Sequence, residues 1–172
     1  MDPRYPTGKF VFDPQVTPEK RRISIVTIGS FPAELKAVLP LANFDRPYRE
    51  GGWTGRQVVH HVADSHTNAY IRLKVALTED QPTIKPYDQD AWSALADMRL
   101  PIEVSLVLLD GLHARWVALY RSLAPAAFAR VFHHPEIGVV TLDGQLQMYA
   151  WHSRHHVAHI TSLRQREDWL HA

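Results

Sequence analysis

The segment WHSRHHVAHI, residues 151–160, sets four histidines among apolar residues at helical spacing. A helix advances about 100° per residue, so His152, His155, His156 and His159 fall within an arc of roughly 100°. Gln145, Met148, Tyr149 and Leu163 share that side, which is mostly the face a bundle helix buries. Buried imidazoles without partners leave ring nitrogens short of hydrogen bonds. Whatever packs against this helix must therefore bring matching chemistry.

A second segment, QVVHHVADSH at residues 57–66, can do so, and the two together hold seven of the eleven histidines. His60 and His61 point about 100° apart, and His66 lies about 140° from His61. One of the three is expected squarely on the inner face. His61 is the better candidate, with Val58, Val62, Ser65 and Ala69 on its side, while His60 shares its side with Asp64 and can pair with it. An i, i+4 pair plus a third imidazole from a neighbouring helix makes a three-nitrogen site with an open position. Such a site suits zinc or nickel. Spacing does not choose between His152/His156 and His155/His159. His113, His133, His134 and His171 carry an ordinary structural reading, and Trp53, Trp92, Trp116 and Trp151 read as core or interface aromatics.

The rest of the chain reads as helices joined by loops in a single domain, residues 1–172. Residues 1–16, rich in Pro and aromatics, read as an extended N-terminal arm. Thr17-Pro18-Glu19 opens a first helix running to about Leu39, with Pro32 breaking or kinking it. EKRRISI reads as that helix's exposed start. Thr54 and Gln57 have capping-box spacing for a second helix from Gly55 to about Thr78. A short helix is expected over Ala91–Met98. Pro101 opens a third long helix with Ile102, Leu106, Leu109, Leu112, Trp116 and Leu119 at helical spacing. After a short helical turn near Ala126, two β-prone runs flanking PEIG predict a hairpin. Thr141 then caps the last helix, which runs to about Arg166. The fold expected is all-α, an up-and-down antiparallel four-helix bundle with a small β-hairpin insertion before the last helix.

Composition narrows the function by exclusion. Nineteen basic and eighteen acidic residues leave a net charge of +1, which gives no field to attract nucleic acid or anionic lipid. With no cysteine, disulfides, cysteine-zinc sites and a protein thiol nucleophile are ruled out. No apolar run approaches the roughly 20 residues needed to cross a bilayer, and the first residues lack a signal-peptide pattern. A soluble cytoplasmic protein with neither nucleic-acid nor membrane partners is expected.

GGWTGRQVVHHVADSH, PYDQDAW and WHSRHHVAHI, in this order, together with the N-terminal YPTGKF, closely resemble the YfiT-like branch of the DinB superfamily, described as metal-dependent hydrolases. The likeness covers nearly the whole chain. It implies a four-helix bundle holding a divalent metal, Zn2+ or Ni2+, through three histidines at one end. Carried over position by position, the ligands fall on His61, His152 and His156. His155 and His159 become their neighbours, candidates for supporting or proton-relaying roles. The resemblance also implies a small-molecule substrate and a homodimer. Three activities remain open. Water activated at the metal would make a hydrolase. A low-molecular-weight thiol cosubstrate of the bacillithiol or mycothiol type would make a thiol S-transferase. A fully ligated metal would make a non-catalytic stress-response or binding protein.

Overall fold

The computed structural model describes residues 2–39 and 42–168; His171 lies outside the described residues. Helix α1 spans Pro18–Val38, with the Thr17 hydroxyl accepting from the Lys20 amide and proline at the first position. Its start is exposed as expected, with Glu19, Lys20, Arg22 and Ile23 at the surface, while Arg21 makes a bidentate ion pair with Asp143 at 2.7 and 2.8 Å. Helix α2 spans Gly55–Thr78 and opens with the full Thr54/Gln57 capping box. Replacing Thr54 with alanine removes the hydroxyl that satisfies the Gln57 amide and should cost about 1 kcal/mol in urea unfolding.

Pro32 does not end α1. It lacks the N–H that would bond to the carbonyl four residues back, Ile28. That carbonyl instead accepts from His113 Nδ1 of another helix at 2.6 Å. A side chain thus repairs the break, and the helix continues.

The expected single helix over Ala91–Met98 is two pieces. Asp88 caps a short helix α3, Gln89–Ser93, by accepting from the Asp90 and Ala91 amides, so it starts earlier than predicted. A separate 3-10 turn covers Ala96–Arg99. Helix α4 spans Glu103–Ser122, and a 3-10 turn covers Pro125–Ala129. Strands β1 (Val131–His134) and β2 (Gly138–Thr141) form the antiparallel hairpin, with Gly138 in the left-handed region (φ 79°) where it leaves the turn. Thr141 caps helix α5, Leu142–Arg166, by accepting from the Gly144 amide.

The four long helices form a bundle, as expected. Of its consecutive long helices only α2 and α4 are principal neighbours: α1 packs on α4 and α5, and α2 packs on α4 and α5. Helices α1 and α2 therefore face each other across the bundle. Connections this long can cross such a diagonal, whereas the usual bundle loop of about 2–8 residues joins adjacent helices. The consequence for α2 is burial on two sides.

Two apolar clusters fill the bundle. One gathers Ile28, Leu73, Trp116, Tyr120 and Leu146 beneath the hairpin. The other gathers Phe31, Leu35, Val58, Val62, Leu109 and Ile160. The N-terminal arm lies along α5, where the Asp13 amide donates to Gln147 Oε1 and Gln147 Nε2 donates to the Asp13 carbonyl. No described helix is long and apolar enough to cross a membrane.

Candidate metal centre

His61 of α2 meets His152 and His156 of α5, with one ring nitrogen from each lying within 4.8 Å of the others. The ring centres are 5.7 Å (His61–His152), 5.1 Å (His61–His156) and 4.4 Å (His152–His156) apart. His61 and His156 are buried and His152 is half-buried. Burial pushes the pKa of His61 down to about 4, and those of His152 and His156 well below the ordinary value. The rings are therefore neutral at pH 7, the form that ligates metal.

Two hydrogen-bonded chains set which nitrogen of each α5 ring keeps its lone pair. The first starts at the Ile28 carbonyl. A carbonyl can only accept, so His113 Nδ1 carries the proton, and its Nε2 is an acceptor. His66 Nδ1 then donates to His113 Nε2 at 2.8 Å, and His152 Nδ1 donates to His66 Nε2 at 3.0 Å. His152 is left with a bare Nε2. The second chain starts at the Arg4 carbonyl in the arm. It accepts from His159 Nε2 at 3.3 Å, and His156 Nδ1 donates to His159 Nδ1 at 3.4 Å. His156 is likewise left with a bare Nε2.

These two lone pairs face each other at 3.2 Å. With both rings protonated on Nδ1, this contact is a repulsion between acceptors, and a cation between them resolves it. The spacing agrees with the roughly 3.3 Å edge of a tetrahedral site with Zn–N bonds of about 2.0–2.1 Å. His61 has no hydrogen bond to any described residue and can supply the third nitrogen. The donor set fits a divalent metal.

The other close trio, His155, His156 and His159, fits less well. Both nitrogens of His159 are engaged, and His155 Nδ1 sits 3.4 Å from Thr7 Oγ1. With both nitrogens taken, His159 steadies His156 and has no free lone pair for a metal.

Three expectations need correction. His61 is not the only inward histidine of α2, since His60, His61 and His66 are all buried. His60 does not pair with Asp64; its nitrogens meet Ser105 Oγ at 2.7 Å and the Leu100 carbonyl at 3.0 Å, tying α2 to the start of α4. His113, read as structural, is indeed buried, and it also orients a ring of the centre through His66. Replacing His113 with phenylalanine keeps the bulk but frees His66 to flip its tautomer. Metal affinity, read by chelator competition, should fall about tenfold.

The cluster forms one wall of a cavity of about 590 Å3. Trp53 packs on His61 at 4.4 Å between ring centres, and Trp151 stacks on His155 at 4.4 Å while its Nε1 donates to the Gly8 carbonyl. The same cavity is lined by Asp90. No carboxylate could be placed here from the sequence, because Asp90 lies in a five-residue helix too short to show a period. Its signal was the segment PYDQDAW.

An all-α bundle with a three-imidazole cluster opening on a cavity is the architecture of a metal-binding helical protein. The DinB superfamily pattern matches residues 33–160, and the chain belongs to that superfamily. A protein of Oceanobacillus iheyensis named "putative metal-dependent hydrolase" is 51% identical over 172 residues, 98% of this chain and all of that one. A Bacillus mycoides protein of the same name is 53% identical over 171 residues, covering 98% and 99% of the two chains. The solved structure of YfiT from Bacillus subtilis, described as a "probable metal-dependent hydrolase with an unusual four-helix bundle topology", superposes with a TM-score of 0.95 at 45% identity over 98% of this chain and 99% of that one.

Proposed function

We propose that the protein is a metal-dependent hydrolase of a small-molecule substrate, with His61, His152 and His156 holding a divalent ion. The observation that carries this reading is the pair of opposed Nε2 lone pairs of His152 and His156 beside His61 on a cavity wall. The names of close relatives support it. An all-imidazole set suits zinc and nickel alike. A bound divalent ion supplies Lewis acidity, which makes water a nucleophile near neutral pH.

The chain's own residues supply the rest. Asp90, the carboxylate on the cavity wall, accepts the proton that the attacking water releases. Trp53 and Trp151 shield the histidines on either side and restrict approach to the cavity mouth. Replacing Asp90 with asparagine should lower kcat about a hundredfold and leave the metal content unchanged. The test is a panel of ester, amide and phosphoester substrates, assayed with metal loaded and removed. Turnover independent of metal, or an unaltered kcat in Asp90→Asn, would overturn the corresponding assignment.

The cavity volume also favours a second reading, thiol S-transfer, since about 590 Å3 accommodates a thiol cosubstrate beside the metal. With no cysteine in the chain, the sulfur must come from that cosubstrate. Consumption of a haloaromatic electrophile only when a thiol is added would select this reading over hydrolysis.

A further inference from the structure

Helix α2 carries more than a histidine on its inward stripe. Arg72 lies eleven residues after His61, which returns it to within about 20° of the same helical face and about 16 Å further along the axis. Long helical side chains lean towards the N-terminus, so the guanidinium reaches back in the direction of the histidines. Ser65 lies between them on that face. On α5, Tyr149 shares a face with His156, seven residues on, and its ring centre is 5.4 Å from that of His152. Two facing stripes thus run from the histidine cluster deeper along the bundle.

Between them lies a second cavity, of about 530 Å3, lined by Ser65, Arg72, Tyr87, His134 and Tyr149. Gln89 lines both this cavity and the one at the histidines, so the two adjoin. The wall is made largely of hydrogen-bond donors. Arg72 Nε is sealed from solvent and has no hydrogen-bond partner. The guanidinium enters no ion pair among the described residues. Serine and tyrosine hydroxyls can donate beside it. His134 Nδ1 accepts from the Glu136 amide at 3.2 Å, which leaves Nε2–H as the donor of the neutral ring.

Two carboxylates also border the cavity, and neither forms an ion pair with the arginine. Asp88 turns its Oδ1 to the α3 amides and makes no ion pair with Arg72. Glu136 sits exposed at the hairpin turn. Burial pushes the Tyr87 hydroxyl up to about 12, so it remains a neutral donor at any physiological pH. A sealed guanidinium N–H without a partner is costly unless an acceptor arrives, and the acceptor that matches a planar fork is a carboxylate or phosphate.

We propose that this second cavity is an anion subsite in which Arg72, with Ser65, Tyr87, Tyr149 and His134 around it, holds a carboxylate or phosphate group of the substrate while its reacting end lies at the histidine cluster. The assignment rests on the metal-centre reading for its position in catalysis, but anion binding itself does not depend on the metal. Substrates of the enzyme are therefore anionic small molecules with roughly 10 Å between the charged group and the reacting bond, the axial gap less the reach of the arginine.

The test titrates the full-length protein with inorganic phosphate and, separately, with acetate. It follows the Arg72 Nε–H cross-peak by NMR and heat by calorimetry, in the metal-loaded wild type and in His152→Ala. A saturable Arg72 shift is expected in both proteins. Arg72→Gln should weaken binding about ten- to hundredfold at unchanged metal content. Glu136→Gln, which removes the rival carboxylate, should tighten it. Should Arg72→Gln not fold, the wild-type cross-peak and Glu136→Gln carry the test. A response to phosphate alone or to acetate alone assigns the substrate's anionic group. An unmoved Arg72 resonance, equal affinity in Arg72→Gln, or a response lost in His152→Ala overturns the subsite. A wild type that holds no metal yet shifts Arg72 overturns the metal reading alone.

Discussion

His152→Ala is expected to yield a folded protein that retains almost no metal after dialysis. The substitution deletes one of the two opposed Nε2 lone pairs and also strands His66 Nε2 without its donor. Loss of a supporting partner alone typically costs ten- to a hundredfold in metal affinity, so loss of a ligand should exceed about a hundredfold. Elemental analysis of His61→Ala, His152→Ala and His156→Ala reads this directly. His155→Ala is the control, because that ring leans on Thr7 and Trp151 and is expected to leave the metal in place. Full retention in any of the first three variants removes that residue from the ligand set.

The metal-free protein is expected to lose stability steeply as pH falls from about 6.5 towards 4. Burial holds His61 and His113 near 4, and His66, His152 and His156 well below the ordinary value. In the unfolded chain these groups titrate near 6.5, so the unfolded state binds more protons throughout that window. Stability is thus fully present above about 6.5 and drains as acid is added. For His61 alone, a pKa of about 4 against 6.5 amounts to roughly 3 kcal/mol at pH 4, a large part of a typical 5–15 kcal/mol. Bound metal should delay the loss until protons displace it. Melting temperatures of chelated and metal-loaded protein at pH 7.5 and 5 provide the check. Equal values for the chelated protein at both would contradict it.

Much of the fold was legible because caps and periods are local. Thr17, Thr54 and Thr141 each begin a helix where their hydroxyls can meet an amide within the first turn. What escaped depends on neighbours. A helical wheel for α2 assumes one buried side, and on it His66 points away from His61. In the bundle α2 is held between α4 and α5, so His61 turns to α5 while His66 links His113 of α4 to His152. No wheel contains that information, since it depends on which helices cross the diagonal. His113 was dismissed for the same reason: its partner carbonyl is on α1, far away in sequence. For helix α5, spacing left two histidine pairs open, and the meeting with His61 is what distinguishes His152 and His156 geometrically. The anion cavity was beyond reach because Tyr87 and His134 come from a loop and a strand.

Pro32 makes a contribution out of proportion to its chemistry. A proline inside a helix is usually tallied as a lost hydrogen bond. Here the loss exposes one oxygen, and that oxygen dictates the handedness of proton placement through His113, His66 and His152 in turn. The protonation pattern of the core is thereby written by the one residue type that has no amide proton. Helix α1 contributes no histidine to the cluster, yet a substitution at position 32 that restores an amide would compete for the Ile28 carbonyl and be felt three imidazoles away.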